Sequence, residues 1–453
     1  MPANPRRMLL AMLLVILPSS LATATATVRG KSATPPVVRV VAPEPVADAD
    51  ADAAIETDVR IATLFSDVHR RDAFHGVVLV AAGGTIIHES AWGIADDGRD
   101  EPVTPTTRFE FASVSKPITA IATLSLVADG VIGLDDRVST HLPTFPWSGV
   151  TVRHLLSHRS GLPARQIERA VVERAVATSR RIDNDLVMEV LASFRSAAAS
   201  TTGDRRDARE ASGDGLEHEP GAQAIYENVN FVVLARLVAV VSGQPFAEAV
   251  KARVFTPAGM THAVVSDPAT WMQPKAGWAT PYVRDASTGS WQIAHTAPAW
   301  EFTVRAGGTR GDGGVVGTAR DLLALDRALV SGRLIPPALA AASERPARGV
   351  DGRELWESGW VRAGFGLGWR IRDDRSTVFH TGDWGGFQAG IFRFRAIDRT
   401  VIFLSHRRID DWSWLPELEA IVREAAGEAT GAAAATAEPA EPAEPAEASP
   451  PGD

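Results

Sequence analysis

The residues with the clearest chemistry are a serine and a lysine three positions apart, Ser113 and Lys116. The Ala/Leu/Val-rich run over 118–128 has helical composition, so the pair is predicted at a helix start with both side chains on one face. A serine hydroxyl is a weak nucleophile until a neighbouring base takes its proton. A lysine can be that base when it is partly neutral, and burial and the positive end of a helix both favour the neutral form. The pattern S-x-x-K therefore predicts a nucleophile beside its base.

Two further motifs offer polar groups downstream. Tyr226 and Asn228 precede a strongly apolar helix predicted over 231–241. The Tyr226 phenol could relay a proton, and the Asn228 amide could bind a substrate carbonyl. A His-Thr-Gly run begins at His380, where a predicted strand ends. Each motif also has an ordinary structural interpretation, in which the serine caps a helix beside a solvated lysine and Tyr-x-Asn is a cap with a packed ring.

A pair of histidines suggests a different chemistry. His154 and His158 are four residues apart in a short predicted helix, which is the spacing of a helical metal pair. The glutamate expected between such ligands is missing, so hydrogen bonding in a turn is the default interpretation and no metal site is predicted. A metal hydrolase that uses these two histidines remains an alternative, which would lose activity on chelation.

Composition excludes several classes of function. The 453 residues carry a formal net charge of -9 and no Lys/Arg-rich run, so nucleic acid is not an expected partner. The chain contains no cysteine, which removes disulfides, thiol nucleophiles and cysteine metal sites. No cofactor is indicated. A hydrophobic fraction of 45% is sufficient for a sizeable core.

The N-terminus has the pattern of an export signal. Two arginines precede an apolar run over 8–17, and small residues then allow cleavage after Ala24 or Ala26. The apolar run is too short to span a bilayer, so no stable membrane span is expected, although an uncleaved anchor is the alternative. The mature protein is therefore predicted in the periplasm or outside the cell.

The rest of the chain is predicted to hold one folded domain over 55–426. A Pro/Ala/Asp-rich linker over 27–54 precedes it, and an Ala/Glu/Pro-rich tail over 427–453 follows it; both are predicted to be disordered. A polar insertion at about 201–217 interrupts the domain. Near its start, two β-rich runs around Gly83 and Gly84 predict a hairpin.

In their order along the chain, the three motifs resemble those of the serine beta-lactamase and penicillin-binding-protein superfamily. The resemblance covers residues 60 to 423 and is greatest to the class C beta-lactamase-related branch of D-alanyl-D-alanine carboxypeptidases, D-aminopeptidases and esterases. It rests on the following runs: Ser113-x-x-Lys116, Leu134-Asp135-Asp136, Thr151 to Pro163, Tyr226-x-Asn228, Gly313-Gly314, Phe365 to Trp369 and His380-Thr381-Gly382.

This resemblance implies an α+β, beta-lactamase-like fold. The two terminal portions of the domain would form one antiparallel sheet flanked by helices, and residues 115–315 would form a mostly helical lobe. The site would lie between the two parts.

The resemblance also implies a role for each motif. Ser113 would be acylated, Lys116 and Tyr226 would handle protons, and Asn228 would orient the substrate. Backbone N–H groups of Ser113 and Asp383 would form the oxyanion hole. The opposite wall of the site would be a strand with these substrate-binding residues: His380, Thr381, Gly382 and Asp383.

Three departures from the family pattern bear on specificity. His380 stands where beta-lactamases carry lysine, and a histidine is charged only part of the time near neutral pH. Glu227 replaces a small serine and Asp383 replaces a common glycine, so both are expected to disfavour an anionic substrate, although arginines elsewhere could offset this.

The leading hypothesis is an exported serine hydrolase that cleaves a small-molecule ester, amide or peptide through an acyl-enzyme on Ser113. D-Ala-type carboxypeptidase or beta-lactamase activity is the alternative within this class. A catalytically silent relative that binds cell-wall fragments is the alternative of another class, and an intact Ser113, Lys116 and Tyr226 argue against it.

Overall fold

A computed structural model describes residues 48–200, 215–267, 273, 275–298, 300, 302–357 and 362–428. The predicted signal peptide at 1–26 lies outside the described residues. So do most of the predicted linker, most of the polar insertion and nearly all of the predicted tail.

Strands from both ends of the domain form one sheet. The described strands have these bounds: β1 Gly76–Ala82, β2 Thr85–Trp92, β3 Ile94–Asp96, β4 Glu101–Pro102, β5 Phe109–Glu110, β6 Val264–Val265, β7 Tyr282–Arg284, β8 Trp291–Ile293, β9 Val315–Gly317, β10 Trp356–Glu357, β11 Ala363–Phe365, β12 Arg370–Arg372, β13 Val378–Trp384, β14 Phe387–Phe394 and β15 Arg399–Ser405. Eight of them pair in the order β10-β11-β12-β13-β14-β15-β1-β2. All seven pairings are antiparallel, which confirms the predicted sheet.

The described helices have these bounds: α1 Asp48–Arg70, α2 Ser115–Ala128, α3 Val138–His141, α4 Val152–Leu156, α5 Ala164–Thr178, α6 Asn184–Ser200, α7 Asn228–Ser242, α8 Phe246–Val250, α9 Thr256–Ala258, α10 Phe302–Ala306, α11 Ala319–Val330, α12 Pro337–Ser343 and α13 Trp414–Glu424. Short 3₁₀ turns occupy Ala112–Val114, Ala294–Thr296 and Arg395–Ile397, and a π-helical turn, Lys251–Phe255, joins α8 to α9.

Helices cover both faces of the sheet because its central strands are apolar on both sides. In β1, Val78 and Val80 pack with Phe65 of α1 and Leu418 of α13. The intervening Val77 and Leu79 belong to the larger core on the other face, with α2 and α11. Alternate side chains of a strand point to opposite faces, so four successive buried residues predict a strand covered on both sides.

The structure bears out the predicted hairpin and places a helix in part of the predicted linker. β1 and β2 pair around Gly83 and Gly84, whose φ angles of 57° and 89° require glycine-like freedom. The helix α1 begins at Asp48, inside the stretch predicted to be a disordered linker. Alanine has a high helix propensity, and acidic residues are favourable at a helix N-terminus. The prediction of disorder from composition alone therefore missed the start of this helix.

A mostly helical lobe, which includes α2 to α9, lies between the two sheet-forming portions of the sequence. Its centre is α2, in which twelve of fourteen residues are buried, from Ser115 to Leu126. A helix that is apolar all round belongs in a core. It ends at Ala128, with Asp129 as its C-cap and Gly130 next at φ of 71°. Within the described ranges no single helix is long and apolar enough to cross a bilayer, and one pair bent by 81°, Asn228–Ser242 with Phe246–Ala258, meets the length and composition criteria only jointly.

Candidate active site

Ser113 lies in a strained turn directly before the central helix. The turn Ala112–Val114 is a 3₁₀ helix, and α2 begins two residues after Ser113. Ala112 has φ of 49°, a left-handed conformation that costs a residue with a Cβ about 1–2 kcal/mol. Strain of this kind persists where the surroundings fix it, and it is common at functional sites. The Ser113 side chain remains partly exposed, so a ligand can reach it.

Lys116 is fully buried against Ser113. Its Nζ lies 2.9 Å from Ser113 Oγ and 2.8 Å from the backbone carbonyl oxygen of Asp312. The relative exposure of Lys116 is 0%. A hydroxyl and a carbonyl are neutral partners, and within the described residues no carboxylate is hydrogen-bonded to this amine. The arrangement allows proton transfer from the hydroxyl whenever the amine is neutral.

Tyr226 completes a compact cluster with this pair. Lys116 Nζ lies 4.9 Å from the centroid of the Tyr226 ring. The ring centroids of Tyr226 and His380 are 6.3 Å apart. The three motifs that are far apart in the sequence therefore meet. Asn228 is exposed as the first residue of α7. The buried amide nearby is Asn230, whose Oδ1 accepts a hydrogen bond of 2.6 Å from Ser160.

His158 supports Tyr226 and is not part of a helical pair with His154. The helix α4 ends at Leu156, and His158 has φ of 54°, so the two histidines do not share a helical face. The His158 ring stacks on Tyr226 with 4.6 Å between ring centroids, and its Nδ1 accepts a hydrogen bond from the Glu227 backbone. Burial, aided by the charge of Lys116, lowers the pKa of His158 well below 6.5. Among the described residues, no group of three or more potential ligands is arranged to hold a metal ion.

Strand β13 forms the opposite wall and touches the nucleophile turn. It pairs with β14 along its full length, whereas β12 pairs only with Val378 and Phe379, so the strand is open on that side from His380 onward. A Cβ atom at Gly382 would lie 2.5 Å from the Phe111 carbonyl oxygen and 2.7 Å from the Ser113 nitrogen. Glycine at this position therefore permits contact between the wall and the nucleophile turn.

Two side chains of the wall, those of His380 and Asp383, have surroundings that affect their charge. His380 is buried, and its Nδ1–H donates to the Thr381 carbonyl oxygen at 2.8 Å. Burial, with Lys116 and Arg370 nearby, lowers its pKa well below 6.5. The Asp383 carboxylate is paired with Arg408 at 2.8 Å, an arginine that can offset its effect on an anionic substrate. Burial raises the pKa of Asp383, and Arg408 opposes this effect.

Sequence reasoning missed one cation at the site. The guanidinium carbon of Arg370 lies 5.2 Å from the ring centroid of Tyr226 and 5.0 Å from that of Phe365. Arg370 follows the Phe365 to Trp369 run directly, but a run of that kind identifies a strand and gives no direction for the next side chain. Arg370 lies on the neighbouring strand β12 and places a guanidinium beside Tyr226.

Comparison with known proteins agrees with this geometry. The family model for Beta-lactamase matches residues 61–425. Penicillin-binding protein 4* of Bacillus subtilis is 29% identical over 77% of this chain and 71% of its own length. Esterase EstB of Burkholderia gladioli is 32% identical over 78% of this chain and 91% of its own length. The crystal structure of a penicillin binding protein from Bacillus halodurans, 23% identical, has the same fold with a TM-score of 0.62 over 79% of this chain and 98% of that one.

Proposed function

Because the chain belongs to the beta-lactamase family of serine hydrolases, we propose that it cleaves an ester or amide through an acyl-enzyme on Ser113. The observation that carries the proposal is the 2.9 Å contact between the buried Lys116 Nζ and the partly exposed Ser113 Oγ, with Tyr226 beside it. An ester is the preferred substrate class, because His380 stands where beta-lactamases carry a lysine and because the relative with 32% identity is named an esterase.

In the first half-reaction the Ser113 oxygen forms a bond to the substrate carbonyl carbon. Lys116 takes the hydroxyl proton, and backbone N–H groups of Ser113 and Asp383 stabilise the oxyanion. The bond to the leaving alcohol or amine then breaks. The leaving group receives the proton from Lys116 through the Tyr226 phenol.

In the second half-reaction water attacks the acyl-enzyme. The same basic groups take a proton from the water, a carboxylic acid leaves, and the Ser113 hydroxyl is restored. Asn228 at the start of α7 would orient the substrate. Thr381 and Gly382 on β13 would border the acyl group.

D-Ala-type carboxypeptidase or beta-lactamase activity is the second candidate. The 29% identity to penicillin-binding protein 4* favours it, and Arg370 beside Tyr226 offers a positive charge for a substrate carboxylate. The two candidates differ in one measurable ratio. An esterase would hydrolyse neutral acyl esters with a higher kcat/KM than D-alanyl peptides or penicillins, and a peptidase or beta-lactamase would show the reverse order.

The test compares wild type with Ser113→Ala on esters, D-peptides and beta-lactams and on a fluorophosphonate probe. We expect wild type to be labelled and to hydrolyse at least one class, and Ser113→Ala to do neither. Equal labelling of both proteins would refute the role of Ser113. Failure of wild type to hydrolyse any substrate or react with the probe would favour a silent binder of cell-wall fragments.

Export is part of the proposal and has its own test. The arginine pair and apolar run over 8–17 support a cleaved signal peptide and a periplasmic or secreted protein. N-terminal sequencing of the protein from a cell envelope or culture medium fraction should begin at residue 25 or 27. Recovery of the uncleaved chain from the cytoplasm would contradict export.

A further inference from the structure

Glu110 is a buried carboxylate three residues before the nucleophile. It lies on β5 with a relative exposure of 2%. Its Oε1 accepts hydrogen bonds from the backbone nitrogen of Ala112 at 3.1 Å and from that of Gly314 at 2.9 Å. One oxygen atom thus joins the strained turn that carries Ser113 to a loop nearly 200 residues later in the sequence.

That loop, residues 311–315, also holds the base. The Asp312 carbonyl oxygen accepts from Lys116 Nζ at 2.8 Å, and the Gly311 carbonyl oxygen accepts from Thr119 at 2.8 Å. The Val315 backbone nitrogen donates to Ser115 Oγ at 3.2 Å. The position of the loop therefore decides where the Lys116 amine lies relative to Ser113.

The conformation of the turn needs an external partner. With φ of 49°, Ala112 directs its N–H away from any helical hydrogen bond, and Glu110 accepts it. Without that acceptor, a buried N–H would be unpaired, at a cost of about 1–3 kcal/mol, and the turn would relax toward an ordinary conformation. Such a relaxation would move Ser113 away from Lys116.

We infer that Glu110 is a positioning residue for acylation, because its Oε1 fixes both the Ser113 turn and the loop that holds Lys116. The inference rests on the proposed acyl-enzyme at Ser113. Glu110 touches neither the substrate nor the reacting atoms, and acts through the backbone of Ala112 and Gly314.

A neutral acceptor is enough for this role. The second oxygen, Oε2, is buried and has no hydrogen-bond partner within the described part of the chain. Burial raises the pKa of Glu110 to about 7, with Arg310 acting to lower it and Asp312 to raise it. A glutamine side chain has the length of glutamate and keeps an acceptor oxygen in the same position. An aspartate side chain is one methylene shorter, so its oxygen lies farther from the two backbone N–H groups.

The test measures single-turnover acylation by a chromogenic ester in the full-length variants Glu110→Gln, Glu110→Asp and Glu110→Ala. We expect Glu110→Gln to keep the acylation rate constant within about 3-fold of wild type, and Asp and Ala to lower it by about 10²-fold, as for a misplacement of about 1 Å. The dissociation constant of the ester complex should stay within about 3-fold, because substrate contacts are unchanged.

Glu89→Gln is the matched control. Glu89 is equally buried, lies on β2 and pairs with Arg320 at 2.9 Å, away from the nucleophile turn. We expect this variant to lose stability to urea but to keep the acylation rate constant of wild type. If Glu89→Gln lost as much acylation as Glu110→Asp, general destabilisation would explain the loss in Glu110→Asp. That result would overturn the inference.

The remaining outcomes also decide the question. Acylation at the wild-type rate in folded Glu110→Asp or Glu110→Ala would overturn the inference, and so would strong loss in Glu110→Gln. If neither Asp nor Ala folds, Glu110 acts on folding and the inference is wrong. Ser113→Ala measured in parallel separates the claims, because acylation that persists in that variant refutes the proposed function itself.

Discussion

Ser113 and Ser90 both have hydrogen-bond partners suited to a nucleophile, and of these two serines only Ser113 is open to a substrate. Ser90 on β2 has the more familiar set. Its Oγ lies 2.8 Å from His88 Nε2, and His88 Nδ1 lies 2.7 Å from a carboxylate oxygen of Asp58 on α1. The order serine, histidine, aspartate is that of many hydrolases. Yet Ser90 and His88 have a relative exposure of 0%, and Trp92 donates to the same serine oxygen at 2.8 Å.

The difference shows that a hydrogen-bond chain does not by itself make a catalytic site. Ser113 has a lysine as its neighbour, but it is partly exposed and faces the open edge of β13. An acyl acceptor needs space for the carbonyl and donors for its developing charge. The Ser90 chain has no such space, and it instead satisfies buried polar groups between α1 and the sheet.

The largest effect is expected when the proposed base, Lys116, is removed from the Ser113 site. Lys116→Ala should lower the acylation rate constant by about 10³-fold, since general-base catalysis by a placed side chain contributes about 10² to 10⁴. The measurement is stopped-flow reaction with a chromogenic ester. The control is Lys251→Ala, an exposed lysine in the turn between α8 and α9, which should react as wild type does. Unchanged acylation in Lys116→Ala would assign the base to another residue.

The next largest effect is expected when β13, the wall of the Ser113 site, is displaced. Gly382→Ala places a Cβ within 2.5 Å of the Phe111 carbonyl oxygen, so β13 and the nucleophile turn must separate. We expect acylation to fall by about 10²-fold, because small misplacements carry a cost of that size. Gly149→Ala is the control, since its nearest neighbour would be Pro220 at 3.7 Å. Equal activity of both variants would mean that the wall is not needed.

The buried serine should show the opposite behaviour. Ser90→Ala leaves His88 and Trp92 without their shared partner, so the free energy of unfolding should fall by about 1–3 kcal/mol. Labelling of the folded protein by a fluorophosphonate should be unchanged. Urea unfolding and labelling of one sample give both values. A loss of labelling without a loss of stability would mean that Ser90 takes part in the reaction. That result would contradict the structural role assigned to Ser90.

The smallest effect is a dependence of stability on pH. Burial lowers the pKa of His75 and His154 to about 4, and that of His158, His380 and His406 well below 6.5. Below pH 6.5 these histidines bind protons in the unfolded chain but remain unprotonated in the folded chain. Their contribution is therefore present above pH 6.5 and is lost as the pH falls toward the folded pKa values. Glu110 acts oppositely, because a pKa of about 7 favours the folded state as the pH falls.

We expect the free energy of unfolding to fall by about 1–3 kcal/mol between pH 6.5 and pH 5.5, as measured by urea titration. The variant His406→Asn should show a shallower fall, because it removes one of these histidines, and the asparagine amide can replace the Nδ1–H donor to the Thr280 carbonyl oxygen. A stability that is flat or rises over this interval would show that these histidines take protons in the folded chain.

Local signals and motif order were enough to predict much of this arrangement. Composition placed the helix after Ser113 and the hairpin at Gly83 and Gly84, and the resemblance placed both terminal portions in one sheet. The meeting of Lys116 with Tyr226 was implied by the family resemblance. These features depend on neighbouring residues or on a pattern shared by a family.

What escaped prediction depends on contacts between distant segments. Arg370 faces Tyr226 because β12 stops pairing with β13 at Phe379, and no spacing reveals where a strand pair ends. The charge of His380 depends on burial, which the residue type does not give. The Ser90 chain requires α1 to dock on β2, and its aspartate lies in a helix 30 residues before His88.

The most direct test is to locate the acyl adduct on wild-type protein. After reaction with a fluorophosphonate, trypsin should release Ser90 in the peptide 72–99 and Ser113 in the peptide 109–137, because Pro117 blocks cleavage after Lys116. Fragmentation of the modified peptide by mass spectrometry should place the adduct on Ser113, with the peptide 72–99 unmodified. An adduct on Ser90, or on a residue other than Ser113, would contradict the account.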